Sequence, residues 1–149
     1  MTPDFQRPGT LLEVSRRVAA GELPFDHAVR EFLDSFYGRE ATRQAAIAEA
    51  PDLLEPLRDA YLAAVAEHLA QVYGLDVPAW AEHRGLDLKR PFFAGGLESL
   101  KALLMVESPT AFRRRMLFVS KNALSRPREL EMAGGADETQ TDRPIGRPS

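Results

Sequence analysis

Apolar residues recur at helical spacing in three stretches of the first half of this chain, and a glycine follows each stretch. The first ends at Gly21, the second ends at Gly38, and the third runs from about Leu53 or Pro56 to Gly74. Glycine suits the position just beyond a helix because it adopts a left-handed backbone without a Cβ clash. The pattern therefore predicts three helices. The apolar positions of the first helix are Leu11, Leu12, Val14 and Val18, and those of the second are Phe25, Val29, Phe32, Leu33 and Phe36. In the third helix a single stripe is predicted, which includes one histidine: Leu54, Leu57, Tyr61, Val65, His68, Leu69 and Val72.

The densest apolar run of the chain lies in residues 91–124. A helix apolar over so wide an arc is typically central in its bundle, so we predict a central helix after the glycine pair at 95–96. Ser108 favours the start of the next helix, because a serine hydroxyl accepts a hydrogen bond from a free backbone N–H. We expect this helix to continue through residues 117–119, although three residues also fit a short strand. The apolar positions of the central helix are Leu97, Leu100, Leu103, Leu104, Met105 and Val106.

Two weaker stretches complete the set of predicted helices. Residues 39–50 are rich in alanine and favour a short helix with a shallow contact. A helix of one to two turns is expected near residues 78–83, where Trp80 would pack against the long third helix and Phe92 or Phe93.

The predicted fold class is therefore all-α, a single-domain helical bundle of about five to seven helices. A length of 149 residues suits one domain. We expect residues 1–9 to form a loose N-terminus and residues 10–124 to form the helical domain. Residues 125–149 are polar and rich in glycine and proline. Such a segment buries too little apolar surface to offset the entropy of ordering, so a disordered tail is predicted.

Composition excludes several classes of protein. The chain has no cysteine, which excludes disulfides, thiolate zinc sites and cysteine nucleophiles, and fits a reducing cytoplasm. No apolar run reaches the roughly 18 residues that a membrane-spanning helix needs. The first residues lack the basic start and apolar core of a secretory signal. We therefore predict a cytoplasmic protein that does not bind membranes.

No residue pattern identifies a catalytic or metal site. His27, His68 and His83 lack the spacing of a zinc-binding helix, and no serine stands in a nucleophile-elbow sequence. Glu98 and Glu107 flank the apolar helix, where solvated helix ends explain them. We predict no catalytic residue, no metal ligand and no cofactor, and hence a protein that is not an enzyme. An enzyme, if present, would use Glu98, Glu107, His68 and Arg115 in a shared pocket.

The only run of three arginines, Arg113-Arg114-Arg115, is the best remaining signal. Guanidinium groups bind carboxylates and phosphates in a bidentate manner. At about 100° per residue, three consecutive side chains cannot share one helix face, so at least one should lie near the body of the protein. We predict that a partly apolar, basic surface binds a protein partner, and that DNA or RNA is the alternative ligand. The predicted partner-binding residues are Phe92, Phe93, Phe112, Arg113, Arg114, Arg115 and Lys121.

Two blocks of the sequence resemble a family of small helical proteins from high-GC bacteria, which are encoded beside nucleotidyltransferase-like toxins. The blocks read DAYLAAVAEHLAQVYGLDVPAWAEHRG and PFFAGGLESLKALLMVESPTAFRRRMLFVSKNALSRP, and the resemblance covers roughly residues 56–127. It implies an antitoxin-like protein whose partner is the cognate toxin. It carries over no catalytic residue.

Overall fold

The computed structural model describes residues 7–83, 86–95 and 98–125. This part of the chain is an all-α bundle with one short pair of strands, as the sequence predicted. Among the described residues, 3-10 turns lie at residues 40–42, 79–82 and 98–100. The elements are α1 (Leu11–Ala19), α2 (Phe25–Gly38), α3 (Arg43–Ala48), α4 (Pro56–Tyr73), β1 (Phe92–Phe93), α5 (Lys101–Glu107), α6 (Thr110–Arg113) and β2 (Leu117–Phe118).

Side-chain caps mark where α1 and α4 begin. The hydroxyl of Thr10 accepts the N–H of Glu13 at 3.1 Å and starts α1. The carboxylate of Glu55 accepts two free N–H groups in the first turn of α4, at 3.0 and 3.1 Å. Gly74 ends α4 in the left-handed conformation, with φ of +68°. The three predicted helices of the first half of the chain are thus confirmed.

The residues before α1 contact the bundle. Pro8 is buried, and Arg7 forms an ion pair with Glu31 of α2 at 2.6 Å. The predicted loose N-terminus therefore does not extend to residues 7–9, while its earlier residues lie outside the described part of the chain. The predicted disordered tail also lies outside that part, apart from Ser125.

The long helix α4 occupies the centre of the bundle. Between Ala60 and Ala70 it is buried on nearly all sides, and only Tyr61 and His68 remain partly exposed. Its alanines have small side chains, which let neighbouring helices approach closely. The predicted single stripe on this helix is therefore wrong, since the opposite face is buried too and Val72 is exposed. The buried alanines are Ala60, Ala63, Ala64, Ala66 and Ala70.

The apolar helix α5, predicted to be central, lies at the edge of the bundle. Leu104 is buried, but Leu103 and Val106 are 53% and 77% exposed. The prediction was wrong because an apolar arc shows only that a helix face avoids water. It does not show whether this protein or another molecule covers that face.

Residues 117–118 form a strand instead of continuing α6. Met116 has φ of +66°, a left-handed conformation that breaks the helix. Leu117 and Phe118 then pair in parallel with Phe92 and Phe93. Leu117, Phe118 and Val119 are all buried, which is typical of a strand covered on both faces. The predicted helical continuation is therefore corrected to a short strand.

The turn that contains Trp80 follows α4 in the chain and contacts both α3 and α4. The indole N–H of Trp80 donates to the carbonyl of Ile47 in α3 at 3.0 Å. The turn itself packs against α4, as predicted, whereas the predicted contact of Trp80 with Phe92 or Phe93 stays a prediction. Ile47 is fully buried, so the contact made by α3 is deeper than its weakly apolar sequence suggests.

The central position of α4 leads to a testable prediction about its packing. Ala64→Leu should lower the free energy of unfolding by about 1–3 kcal/mol, because the added atoms must displace close neighbours. The exposed residue Ala45 on α3 is the matched control, and Ala45→Leu should have little effect. Urea denaturation of both variants measures the difference, and equal stabilities would contradict the central placement of α4.

Candidate functional site

Arg115 lies in the protein interior and not on the predicted partner surface. Its side chain is fully buried. One terminal nitrogen, Nη1, donates to the carboxylate of Glu67 at 2.5 Å and to the carbonyl of Ala111 at 2.7 Å. The other, Nη2, donates to the carbonyl of Ala81. Arg115 therefore joins α4, α6 and the turn at residues 79–82, and its prediction as a partner-binding residue is wrong.

Glu67 is the acceptor around which this polar cluster is arranged. Its side chain is 5% exposed. While Oε1 binds Arg115, Oε2 accepts Arg114 at 2.7 Å and Gln71 at 3.0 Å. A buried carboxylate requires such partners because it has lost its hydration. Arg115 Nε has no hydrogen-bond partner in the described part, so its charge depends on Glu67 and the two carbonyls.

The remaining cations of the predicted surface are exposed to different degrees. The Arg114 side chain is 45% exposed and already paired with Glu67. Arg113 is exposed, with Nη1 at 3.5 Å from the carbonyl oxygen of Val106 and Nη2 at 3.4 Å from the Thr110 hydroxyl. The Lys121 side chain is exposed, and its backbone N–H donates to Glu107 at 3.1 Å. Of the three arginines, only Arg113 has no carboxylate partner among the described residues.

The three phenylalanines of the predicted surface also differ in how far they are exposed to solvent. Phe112 is fully buried against the rings of Tyr61 and His68, so its placement on a partner surface is corrected. Phe93 is partly buried and stacks on Phe118, with ring centroids 4.9 Å apart. Phe92 is 37% exposed at the edge of the strand pair. Only Phe92 offers a substantial apolar surface to solvent.

The larger apolar surface belongs to α5, which the sequence analysis placed in the core. At about 100° per residue, its outward side chains fall within an arc of about 160°. No polar side chain of α5 lies within that arc. The outward residues, which we call the α5 face, are Ala102, Leu103, Met105 and Val106. The sequence signal for this exposed surface was the uninterrupted apolar run of α5, which the sequence analysis interpreted as evidence of burial.

Two further exposed cations lie next to the arginine segment. The Leu88 N–H donates to the carbonyl of Arg115 at 3.3 Å, and the Phe92 N–H donates to that of Met116 at 2.8 Å. These bonds place the exposed residues Lys89 and Arg90 beside the segment that carries the arginines. The sequence analysis missed them because the backbone pairing is tertiary. The Lys-Arg dipeptide before Pro91 was the only local signal.

The residues suggested for an enzyme each have separate surroundings. Burial lowers the pKa of His68, which favours its neutral form against the Phe112 ring. Tyr61, which was not one of the suggested residues, also contacts the Phe112 ring. Burial, followed by the nearby Asp26 carboxylate, raises the pKa of Tyr61 to about 12, so its hydroxyl remains neutral at ordinary pH. Glu107 binds the Lys121 backbone and Arg115 binds Glu67. The side chain of Glu98 is outside the described part of the structure.

None of the three arginines lines either of two surface hollows. One, of about 440 Å³, is bordered by Trp80, Leu53 and His83. The other, of about 590 Å³, lies where Phe25, Tyr61 and Phe92 meet. Of the predicted partner-binding residues, only Phe92 lines either of them. The described residues also contain no group of three His, Asp or Glu side chains placed to hold a metal ion.

Comparison with protein-family models, curated proteins and solved structures finds no significant match to this chain. Within the described residues, none of the helices combines the length and apolar character needed to span a membrane.

The buried ion pair makes a prediction about stability. Glu67→Gln should lower the free energy of unfolding by about 3–5 kcal/mol, because it leaves the charge of Arg115 uncompensated in the interior. Arg114→Gln removes a half-exposed partner of the same carboxylate and should cost about 0–1 kcal/mol. Denaturant unfolding of the two variants tests this contrast. If both variants lose the same stability, Glu67 does not compensate the buried guanidinium.

Proposed function

We propose that this chain is a non-enzymatic protein-binding module of the cytoplasm, an antitoxin-like partner of a nucleotidyltransferase-type toxin. The observation that carries the proposal is the α5 face. Three large apolar side chains point outward from a helix of only seven residues, and Val106 is 77% exposed. Fully burying one such side chain stabilises a protein by roughly 1.5–3 kcal/mol, so a partner that covers this face gains affinity.

Two further observations support a macromolecular partner. Arg113 lies next to the apolar face and has no carboxylate partner among the described residues. An apolar centre with an arginine beside it is typical of protein interfaces, where arginine is enriched and other charges are depleted. The particular partner comes from the resemblance of residues 56–127 to proteins encoded beside nucleotidyltransferase-like toxins.

Co-expression with the product of the adjacent gene tests this function. The tagged chain should form a complex that light scattering detects after gel filtration. The double variant Leu103→Ser/Val106→Ser should lose the complex, because it removes apolar area that the partner covers. Leu53→Ser is the matched control, since Leu53 is as exposed as Val106 but precedes α4. An adjacent product that binds the double variant as well as the native chain would contradict the proposal.

A DNA- or RNA-binding regulator is the second candidate function. The sequence-based form of this hypothesis used the Arg113–Arg115 cluster, but Arg115 is buried and only Arg113 and Arg114 remain exposed. The tertiary fold adds Lys89 and Arg90 beside them. Exposed cations of this kind neutralise phosphates and release condensed counterions.

Gel-shift titration with the DNA upstream of the gene tests the second candidate. Binding should weaken steeply as salt rises, with a slope of log affinity near −0.9 for each phosphate neutralised. Arg113→Ala should reduce that slope by about one, because one arginine contacts about one phosphate. Absence of any retardation at low salt would remove this candidate.

A further inference from the structure

We propose that the α5 face, together with Arg113, binds an acidic amphipathic helix of the partner protein. This inference rests on the proposed protein-binding function and names the chemistry of the segment that is bound. The apolar half of the site is the α5 face. The charged half is the Arg113 guanidinium, whose Nη1 lies 3.5 Å from the carbonyl oxygen of Val106.

The shape of the site favours a helix as the bound segment. α5 presents a ridge of side chains about 10 Å long, and such ridges pack into the grooves of another helix. An added strand would instead need free backbone groups at the sheet edge beside α5. The Ser108 hydroxyl accepts the Val119 N–H at 2.8 Å and lies 3.0 Å from the Val119 carbonyl oxygen. The backbone groups of Val119, which directly follows β2, are therefore already engaged.

The charges around the site favour acidic residues on that helix. Glu67 pairs with Arg114 and Arg115, and Glu107 accepts the backbone N–H of Lys121. Neither of these carboxylates pairs with Arg113, which is exposed and has no carboxylate partner among the described residues. Lys89 and Arg90 extend the positive charge along the neighbouring segment. A glutamate or aspartate on the bound helix would supply the missing partner of Arg113.

Two other ligands fit the observations less well. A second copy of this chain would bring the same α5 face, and a stable dimer usually buries roughly 800 Å² on each partner. A seven-residue helix provides only part of that area. A nucleic acid would satisfy the cations but leave the apolar α5 face exposed to water, because phosphates and sugars are polar.

Fluorescence anisotropy with two synthetic helical peptides of about 15 residues tests the inference. Both peptides carry leucines at helical spacing, and their polar positions are glutamate in one and lysine in the other. The full chain should bind the glutamate peptide at least about tenfold more tightly than the lysine peptide. Arg113→Glu should remove that preference. Arg30→Glu, which reverses an exposed charge on α2, is the control and should retain it.

A separate variant and its control test the apolar half of the site, which is the α5 face. Leu103→Ser/Val106→Ser should weaken binding of the glutamate peptide at least about tenfold, while Leu53→Ser should not change it. Circular dichroism of each variant confirms that the bundle is folded. Equal affinity of the native chain for the two peptides, or an unchanged preference of the Arg113→Glu variant for the glutamate peptide, would overturn the inference.

Two further outcomes would assign the α5 face to another ligand and would also overturn the inference. One is tighter binding of a short DNA duplex than of the glutamate peptide at about 150 mM salt. The other is a dimer of the native chain that Leu103→Ser/Val106→Ser abolishes.

The peptide experiment also separates this inference from the proposed function. If the adjacent gene product binds the native chain while both peptides bind equally, the function stands and the acidic helix is rejected. If the peptides behave as expected and the adjacent product does not bind, the inference is supported and the particular partner is rejected.

Discussion

The buried charge of Arg115 constrains how the C-terminal segment lies on the bundle. A guanidinium remains protonated in proteins, so it enters the interior only where acceptors compensate it. Here those acceptors are the Glu67 carboxylate and the carbonyls of Ala81 and Ala111, from three different elements. Displacing any of the three elements would remove an acceptor from a charge that water does not reach. The relative positions of α4, α6 and the turn at 79–82 therefore depend on this cluster.

The exposed surface follows from the same constraint. Because Arg115 points inward, the preceding arginines are turned toward the surface by the rotation of about 100° per residue. Met116 then breaks the helix, and the chain continues as β2 beside β1. Ser108 connects β2 to the end of α5 through Val119 and Leu104. These contacts fix the inner side of α5 and leave its apolar outer face beside Arg113.

The surface and the interior use the same residue types for different purposes. Arg115 and Glu67 satisfy one another inside the fold, so neither is available to a ligand. Arg113, two positions earlier, has an exposed guanidinium next to the apolar side chains of the α5 face, whose burial against a partner would be favourable. In protein association, apolar burial supplies most of the affinity, whereas complementary charges mainly set orientation and the choice of partner. The α5 face and Arg113 correspond to these two contributions.

The sequence by itself determined the helices of the first half, because helix starts, stops and apolar spacing are local properties. Pro56 and Gly74 mark α4 without reference to the rest of the chain. It also indicated that three consecutive arginines cannot share one face. Only the tertiary structure decided that Arg115 is the buried one, since its acceptors Glu67 and Ala81 are distant in sequence. Tertiary structure likewise decided that α4, and not α5, is central. Apolar periodicity shows which residues avoid water, but only packing shows which molecule covers them.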